Sequence, residues 1–144
     1  MEAKFLMPGD GRKLNVLGDN QTVRLTGKDT GGLFSLVEQT NPPGVGIPLH
    51  LHKNEDELFH IIEGSMEFKV GGETTVATAG TTVFLPRNVP HEFMTVGDVP
   101  VKTMVMVFPS GAEEMFEELH ALPPGPPDMP RVLGICERFG VIFL

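Results

Sequence analysis

The chain has 144 residues, of which 40% are hydrophobic and 21% charged, the composition of one globular domain large enough to bury a core. Its formal net charge of −8 and its scattered basic residues argue against a nucleic-acid partner. No apolar run suits a membrane span or a signal peptide, and the single cysteine, Cys136, excludes an internal disulfide, so we expect a cytoplasmic protein with no membrane partner.

Short apolar runs separated by turn residues dominate the first three quarters of the chain. The 17 glycines and 13 prolines fall between these runs, which indicates many short strands. The predicted strands are Gln21–Thr26, Leu33–Gln39, Leu49–His52, Glu57–Glu63, Ser65–Val70, Glu73–Ala77, Thr82–Leu85, His91–Thr95 and Val101–Phe108. Gly71 and Gly72 suit a two-residue hairpin turn. The pattern predicts an all-β, antiparallel fold.

Histidines and a carboxylate concentrate between Gly44 and Gly64. His50 and His52 are two residues apart, so on a β-strand both imidazoles point to one face. Glu57 follows at the start of an apolar run, and a third histidine, His91, opens a later strand. Imidazole and carboxylate groups suit iron, manganese, nickel, copper or zinc.

Two sets of residues resemble the two conserved motifs of the cupin family. The first motif is matched by Gly44, His50, His52, Glu57 and Gly64, and the second by Gly80, Pro86 and His91. Asn88 and Thr95 depart from the second motif, where the family usually has a glycine and often has an asparagine. The resemblance implies a small jelly-roll β-barrel in which His50, His52, Glu57 and His91 hold one divalent metal.

Other residues near the motifs have competing interpretations. Glu55 and Asp56 also carry carboxylates, but we expect them in a solvated loop, because Glu57 occupies the family's ligand position. His60 lies on the opposite face of its strand from Glu57 and is expected to point away from the metal. A β-bulge would make His60 an extra ligand and release Glu57.

Side chains at even spacing from the ligands are predicted to line a substrate cavity. The predicted pocket consists of Phe59, Phe93, Met104 and Met106, with Ile61, Met66 and Met94 as further candidates. Methionine suits an adaptable, apolar binding surface. Ordinary core packing is the competing interpretation, and we favour it for Ile61. The chain has no Trp and no Tyr, so proton transfer falls to Glu57, a histidine or bound water.

The pattern becomes helical after Pro109. Ser110 is the predicted N-cap of one helix, and residues 131–139 form a second helix that ends before Gly140, with a proline-rich linker over residues 123–130. We therefore predict one domain over residues 1–144, with a barrel core at about 20–109 and a C-terminal helical extension at 110–144. His120 is expected at the surface and Cys136 in the core.

The resemblance also implies chemistry. Quercetin-type cupin dioxygenases suggest a small-molecule substrate with adjacent carbonyl and enol oxygens, from which Glu57 accepts a proton before oxidative cleavage. The alternatives are a polyketide cyclase or an isomerase that uses the metal as a Lewis acid, or a binding protein without catalysis. Small cupins commonly form homodimers, and Thr22–Leu25 is the predicted edge strand for such pairing.

Overall fold

Two antiparallel sheets form the body of the protein, whose computed structural model describes all 144 residues. The six-stranded sheet contains β1 (Arg12–Val16), β2 (Asp19–Leu25), β3 (Ser35–Asn41), β10 (Val101–Phe108), β5 (Asp56–Glu63) and β8 (Thr82–Leu85), in that spatial order. The five-stranded sheet contains β11 (Val141–Phe143), β4 (Gly46–His52), β9 (His91–Val96), β6 (Ser65–Val70) and β7 (Glu73–Thr78).

The antiparallel, all-β jelly roll predicted from the sequence is confirmed, but the expected closed barrel is not. The two sheets pack face to face as a sandwich, and each sheet keeps two edge strands. Strand β10 shows how the alternation arises, since every second residue from Val101 to Val107 is buried. The predicted turn at Gly71 and Gly72 is also present, with φ angles of 59° and 80°.

The sheets extend beyond the predicted core at both ends. Strand β1 begins at Arg12 and pairs with β2, so Thr22–Leu25 does not form the expected free edge. The turn between these strands contains Leu17 with a φ of 52°, a conformation that is uncommon for a leucine and that hides the hairpin from sequence patterns. At the other end, the three residues of β11 pair with β4.

Two hydrophobic clusters fill the molecule. One lies between the sheets and includes Phe59 and Ile61, which are 1% and 0% exposed. Burial of each such side chain contributes about 1.5–3 kcal/mol. The other cluster joins β1 to the C-terminal segment through residues such as Leu14, Val132 and Val141. The C-terminal segment therefore closes one side of the sandwich instead of lying apart from it.

Three short helices complete the chain. They are α1 (Gly27–Thr30), which was not predicted, α2 (Ala112–His120) and α3 (Met129–Arg138). Helix α2 begins after Gly111 instead of Ser110, and α3 begins two residues earlier than predicted. The Asp128 side chain caps α3, and Pro130 is accommodated because the first turn needs no backbone donor there. None of the helices has the length and apolar character needed to cross a membrane.

Candidate metal centre

Four side chains converge between the sheets at one end of the sandwich. His50 and His52 come from β4 and His91 from β9 of one sheet, while Glu57 comes from β5 of the other. All four are buried, and one potential ligand atom of each lies within 4.8 Å of those of the others. Three imidazoles and one carboxylate form a donor set suited to a divalent transition metal.

The pairing of β4 with β9 brings two of these imidazoles together. His50 lies opposite His91, and the register shifts between Ile47 and His50, where β4 contains an irregularity. Gly46 permits the close approach of the strands, since a Cβ atom there would lie 2.0 Å from the Phe93 carbonyl oxygen. A side chain at position 46 would therefore push apart the two strands that carry the histidines.

The loop before His91 forms hydrogen bonds with β4 and β5, the strands that carry the other candidate ligands. Asn88 has a φ of 65°, a left-handed conformation that asparagine tolerates, and its backbone N–H donates to the His52 carbonyl at 2.7 Å. Arg87 binds both carboxylate oxygens of Asp56 at 3.0 Å. Its guanidinium lowers the pKa of Asp56 to about 2. Asn88 thus supplies the conformation for which the family usually has a glycine.

The Nδ1 atoms of two imidazoles lie within hydrogen-bond distance of backbone carbonyls, and the Nδ1 atom of the third faces a carboxylate. The Nδ1 of His50 lies 2.8 Å from the Pro48 carbonyl oxygen, and that of His91 lies 3.0 Å from the Val89 carbonyl oxygen. The Nδ1 of His52 faces the Glu55 carboxylate at 3.5 Å. When Nδ1 carries the proton toward such an acceptor, Nε2 is left as the free metal-binding nitrogen.

Glu55 was wrongly expected in a solvated loop. It is only 7% exposed and packs its carboxylate against His52. The three-residue spacing between His52 and Glu55 was visible in the sequence, but nothing in the pattern showed that the turn after β4 folds inward. Sequence reasoning therefore missed a residue that orients a candidate ligand.

Four buried atoms at or beside the centre lack hydrogen-bond partners, namely Glu57 Oε2, His91 Nε2, His52 Nδ1 and Glu55 Oε2. The Oε2 atom of Glu57 lies 3.2 Å from His91 Nε2 and 3.4 Å from His52 Nε2. Glu57 Oε2 and His91 Nε2 are both buried and unpaired. Buried polar atoms without partners are costly, and a cation between them would satisfy both. The donor set and its unpaired atoms fit a metal ion.

The electrostatics of the cluster favour an ionised carboxylate beside imidazoles. Burial would raise the pKa of Glu57, but the adjacent His91 and the charges of the other imidazoles outweigh it and lower the pKa. Burial, together with the neighbouring His91, lowers the pKa of His50 to about 4. Burial would also lower the pKa of His52, but Glu55 and Glu57 outweigh it and raise the pKa. The cluster therefore presents Glu57 as an anion and His50 as a neutral donor at neutral pH.

A largely apolar cavity of about 480 Å³ extends from this centre through the sandwich. The predicted pocket residues Phe59 and Phe93 line it, together with Met66. Helices α2 and α3 contribute part of the wall through residues such as Met115 and Val132. Helices α2 and α3 therefore cover one side of the cavity.

The structure does not place Met104 and Met106 on the cavity. Both lie on the outer face of β10, while their neighbour Val105 faces inward and lines the cavity. Side chains alternate along a strand, so Met104 and Met106 cannot share the inner face with Val105. The prediction that they line the cavity is therefore wrong. Met94 is likewise 48% exposed.

His60 points away from the metal centre, as expected from the alternation. It is exposed on β5, and its Nδ1 atom lies 2.9 Å from the Thr82 hydroxyl. No bulge interrupts β5 at this position, because the pairing of Glu57 to His60 with β8 is continuous. The alternative in which His60 replaces Glu57 as a ligand is not supported by this arrangement.

A polar cluster that sequence reasoning missed lies elsewhere on the cavity wall. It consists of Asp19, Gln21, Gln39 and Asn41. The alternation that places Val23 and Val37 in the core also places Gln21 and Gln39 on the inner face. This alternation was the sequence signal that could have identified the polar cluster.

Comparisons with known proteins agree with the fold and the motif. The cupin domain model matches residues 37–108, which is half of the chain. Quercetin 2,3-dioxygenase from Bacillus subtilis is 30% identical over 89 residues, which cover 62% of this chain and 26% of the dioxygenase. The tetracenomycin polyketide synthase protein TcmJ from Streptomyces glaucescens is 28% identical, over 56% of this chain and 52% of TcmJ. The matched region thus spans about a quarter of the dioxygenase and about half of TcmJ.

A solved structure shows the same similarity in three dimensions. The polyketide cyclase RemF from Streptomyces resistomycificus superposes with a TM-score of 0.62 at 25% sequence identity. The superposition covers 75% of this chain and 80% of RemF. The fold of this chain is therefore similar to that of a polyketide cyclase.

Proposed function

This chain belongs to the cupin family, and we propose that it is a metal-dependent enzyme that resembles quercetin 2,3-dioxygenase. The proposed substrate is a small apolar or aromatic enol or diketone. One observation carries the proposal: a buried cluster of three histidines and one glutamate adjoins an apolar cavity, whose wall includes His50, His52 and Glu57. A structural metal site would not need such a cavity beside it.

The residues that would hold the metal are His50, His52, Glu57 and His91. A bound divalent ion would supply Lewis acidity and, for a redox-active metal, electron transfer. The identity of the metal is left to measurement, since the donor set suits iron, nickel, manganese, copper and zinc.

The chain itself supplies a base and an apolar, water-poor pocket. Glu57 is ionised by its histidine neighbours and has a carboxylate oxygen without a hydrogen-bond partner, so it can accept the proton of a bound enol. Phe59 and Phe93 contribute apolar surface to the cavity wall, which suits an aromatic substrate. A substrate that displaces water from this pocket would strengthen the electrostatic effect of Glu57 on it.

Metal analysis combined with oxygen-uptake measurements tests this proposal. The purified protein should contain a transition metal and consume dioxygen with flavonols or diketones. His52→Ala should lose metal and uptake together, while His60→Ala, which removes an exposed histidine from the same region, should retain both. Full metal occupancy in His52→Ala would show that the ligand set is wrong.

A second candidate is a non-oxidative polyketide cyclase or isomerase. The similarity to TcmJ and RemF favours the cyclase. The same metal and the same base would then act on an enolate without dioxygen. Product formed without oxygen uptake would support this candidate, and tight binding of the same compounds without turnover would support a binding protein.

The assembly and location of the protein stay predictions. Strand β1 pairs with Asp19–Val23, so Thr22–Leu25 is not the fully free edge first expected for a homodimer. Light scattering would distinguish the 15.7 kDa monomer from a dimer of about twice that mass. The cytoplasmic location predicted from the single cysteine is likewise left to experiment.

A further inference from the structure

A buried carboxylate organises the polar cluster on the cavity wall. Asp19 Oδ2 accepts hydrogen bonds from the side-chain amides of Gln21 at 2.9 Å and Gln39 at 2.8 Å. Its Oδ1 accepts a hydrogen bond from the Asn41 amide at 2.7 Å. All of these residues line the same cavity as the metal centre.

The carboxylate fixes the orientation of each amide around it. Because an ionised carboxylate only accepts hydrogen bonds, the amide nitrogens face Asp19 and the amide oxygens face away. The Asn41 oxygen accepts a hydrogen bond from the backbone N–H of Asn20 at 2.8 Å. The Gln21 oxygen, Oε1, has no partner, although Gln21 is only 4% exposed.

An unpartnered buried acceptor selects for a hydrogen-bond donor. Leaving Oε1 of Gln21 unpaired is costly, and an apolar ligand atom placed against it would not relieve that cost. Burial raises the pKa of Asp19 despite its three amide partners, which agrees with a site that little water reaches. A ligand hydroxyl or N–H group would satisfy the oxygen.

Strand registers place this acceptor well away from the metal centre. Gln21 pairs with Gln39, Gln39 with Thr103, and Thr103 with Ile61. Glu57 lies four residues before Ile61 on β5, a displacement of about 13 Å along the strand direction. A ligand that reaches both ends must be elongated.

We propose that Gln21 binds a hydroxyl group at the end of the substrate remote from the metal. The substrate class is thereby narrowed to elongated aromatic molecules with a chelating oxygen pair at one end and a phenolic hydroxyl at the other. This inference rests on the proposed function in treating the cavity as a substrate site. Asp19 acts as a positioning residue, because it holds the Gln21 amide with its oxygen free.

Binding of naphthol and of its methyl ether tests the inference. The two probes share the same rings, but only naphthol donates a hydrogen bond. The chain contains no Trp and no Tyr, so probe fluorescence anisotropy is free of the usual protein background. The full chain, as purified, should bind naphthol about tenfold more tightly than the ether.

Three variants test which residues produce the preference for naphthol over its methyl ether. Gln21→Met keeps the length of the side chain but removes the acceptor, so the preference should fall to about one. Asp19→Asn should reduce it too, because an amide at position 19 can donate to Gln21 and occupy its oxygen. Thr40→Ala, which alters an exposed side chain on the outer face of β3, should leave it unchanged.

Several outcomes would overturn the inference. They are an absence of naphthol binding, equal affinity for both probes, or a preference that survives in Gln21→Met because the hydroxyl binds elsewhere. A preference lost in Gln21→Met but unchanged in Asp19→Asn would overturn the positioning role of Asp19 alone. The assay needs no turnover, and the preference for naphthol should persist in His52→Ala. Failure of the inference about Gln21 can therefore be distinguished from failure of the proposed metal chemistry.

Discussion

At the scale of single residues, the function of each candidate ligand depends on a second group that orients it. His50 and His91 use backbone carbonyls of their own chain segments, which no side-chain substitution removes. His52 instead depends on the side chain of Glu55, which is 3.5 Å away. Of the three histidines, only His52 can therefore be reoriented by a substitution at a residue that is not itself a candidate ligand.

We expect Glu55→Ala to weaken metal binding by about 10–100-fold while leaving the fold intact, because His52 loses the acceptor that sets its tautomer. Competition with a chromophoric chelator would measure the affinity. Glu73→Ala removes an exposed carboxylate from β7 and should have no effect. Equal affinity in Glu55→Ala and Glu73→Ala would contradict the orienting role.

His50 should make the stability of the metal-free protein depend on pH. Burial lowers the pKa of His50 from 6.5 to about 4, so between these values the unfolded chain binds a proton that the folded protein does not. The contribution of His50 to the free energy of unfolding is present above pH 6.5 and is lost as the pH falls toward 4. Its magnitude is up to about 3 kcal/mol.

Urea unfolding of chelator-treated protein, compared between wild type and His50→Gln, would isolate this contribution. The other titrating groups are common to both proteins, so wild type should lose more stability than the variant on acidification. Parallel losses in the two proteins would show that folding does not lower the pKa of His50.

At the scale of elements, the close contact between β4 and β9 aligns the histidines. A Cβ at Gly46 would lie 2.0 Å from the Phe93 carbonyl oxygen, so Gly46→Ala should destabilise the protein by about 1–3 kcal/mol and weaken metal binding. Gly134→Ala lies on the exposed side of α3 with no neighbour within 4 Å, and it should instead stabilise by about 1 kcal/mol.

Thermal unfolding and metal titration of both glycine variants would check these opposite signs. The metal effect should be confined to position 46, because α3 contributes no candidate ligand. If Gly46→Ala retained wild-type metal affinity, the alignment of His50 with His91 would not depend on this contact.

Turn residues made the bounds of the central strands predictable, while the strands at the ends of the chain could not be predicted. Strands β6, β8 and β10 have the predicted bounds, since glycines or prolines flank each of them. Strand β1 precedes a turn that needs a left-handed leucine, and β11 has only three residues. Both are stabilised by tertiary pairing that local sequence does not encode.

The candidate site was predictable to a similar degree. Motif spacing identified His50, His52, Glu57 and His91, and the structure brings them together. Burial of loop residues depends on the path of the chain, so Glu55 was assigned to solvent. The wall of the cavity draws on seven or more segments, which explains why Met104 and Met106 were assigned to the wrong face and the Asp19 cluster was missed.

At the scale of the whole molecule, the proposed metal links the two sheets. Glu57 belongs to one sheet and the three histidines to the other, so a bound ion would resist separation of the sandwich. An ion at 100 times its dissociation constant should stabilise the protein by about 2.7 kcal/mol. Calorimetry should show this increase in wild type and not in His91→Ala, and an equal increase in both would indicate binding elsewhere.

Anomalous X-ray diffraction at the absorption edge of the metal found in the purified protein tests the central claim most directly. We predict one strong peak between the sheets, about 2.0–2.2 Å from a nitrogen of His50, His52 and His91 and from a carboxylate oxygen of Glu57. A peak held only by exposed side chains, or a metal-loaded crystal without a peak among these four residues, would contradict the account.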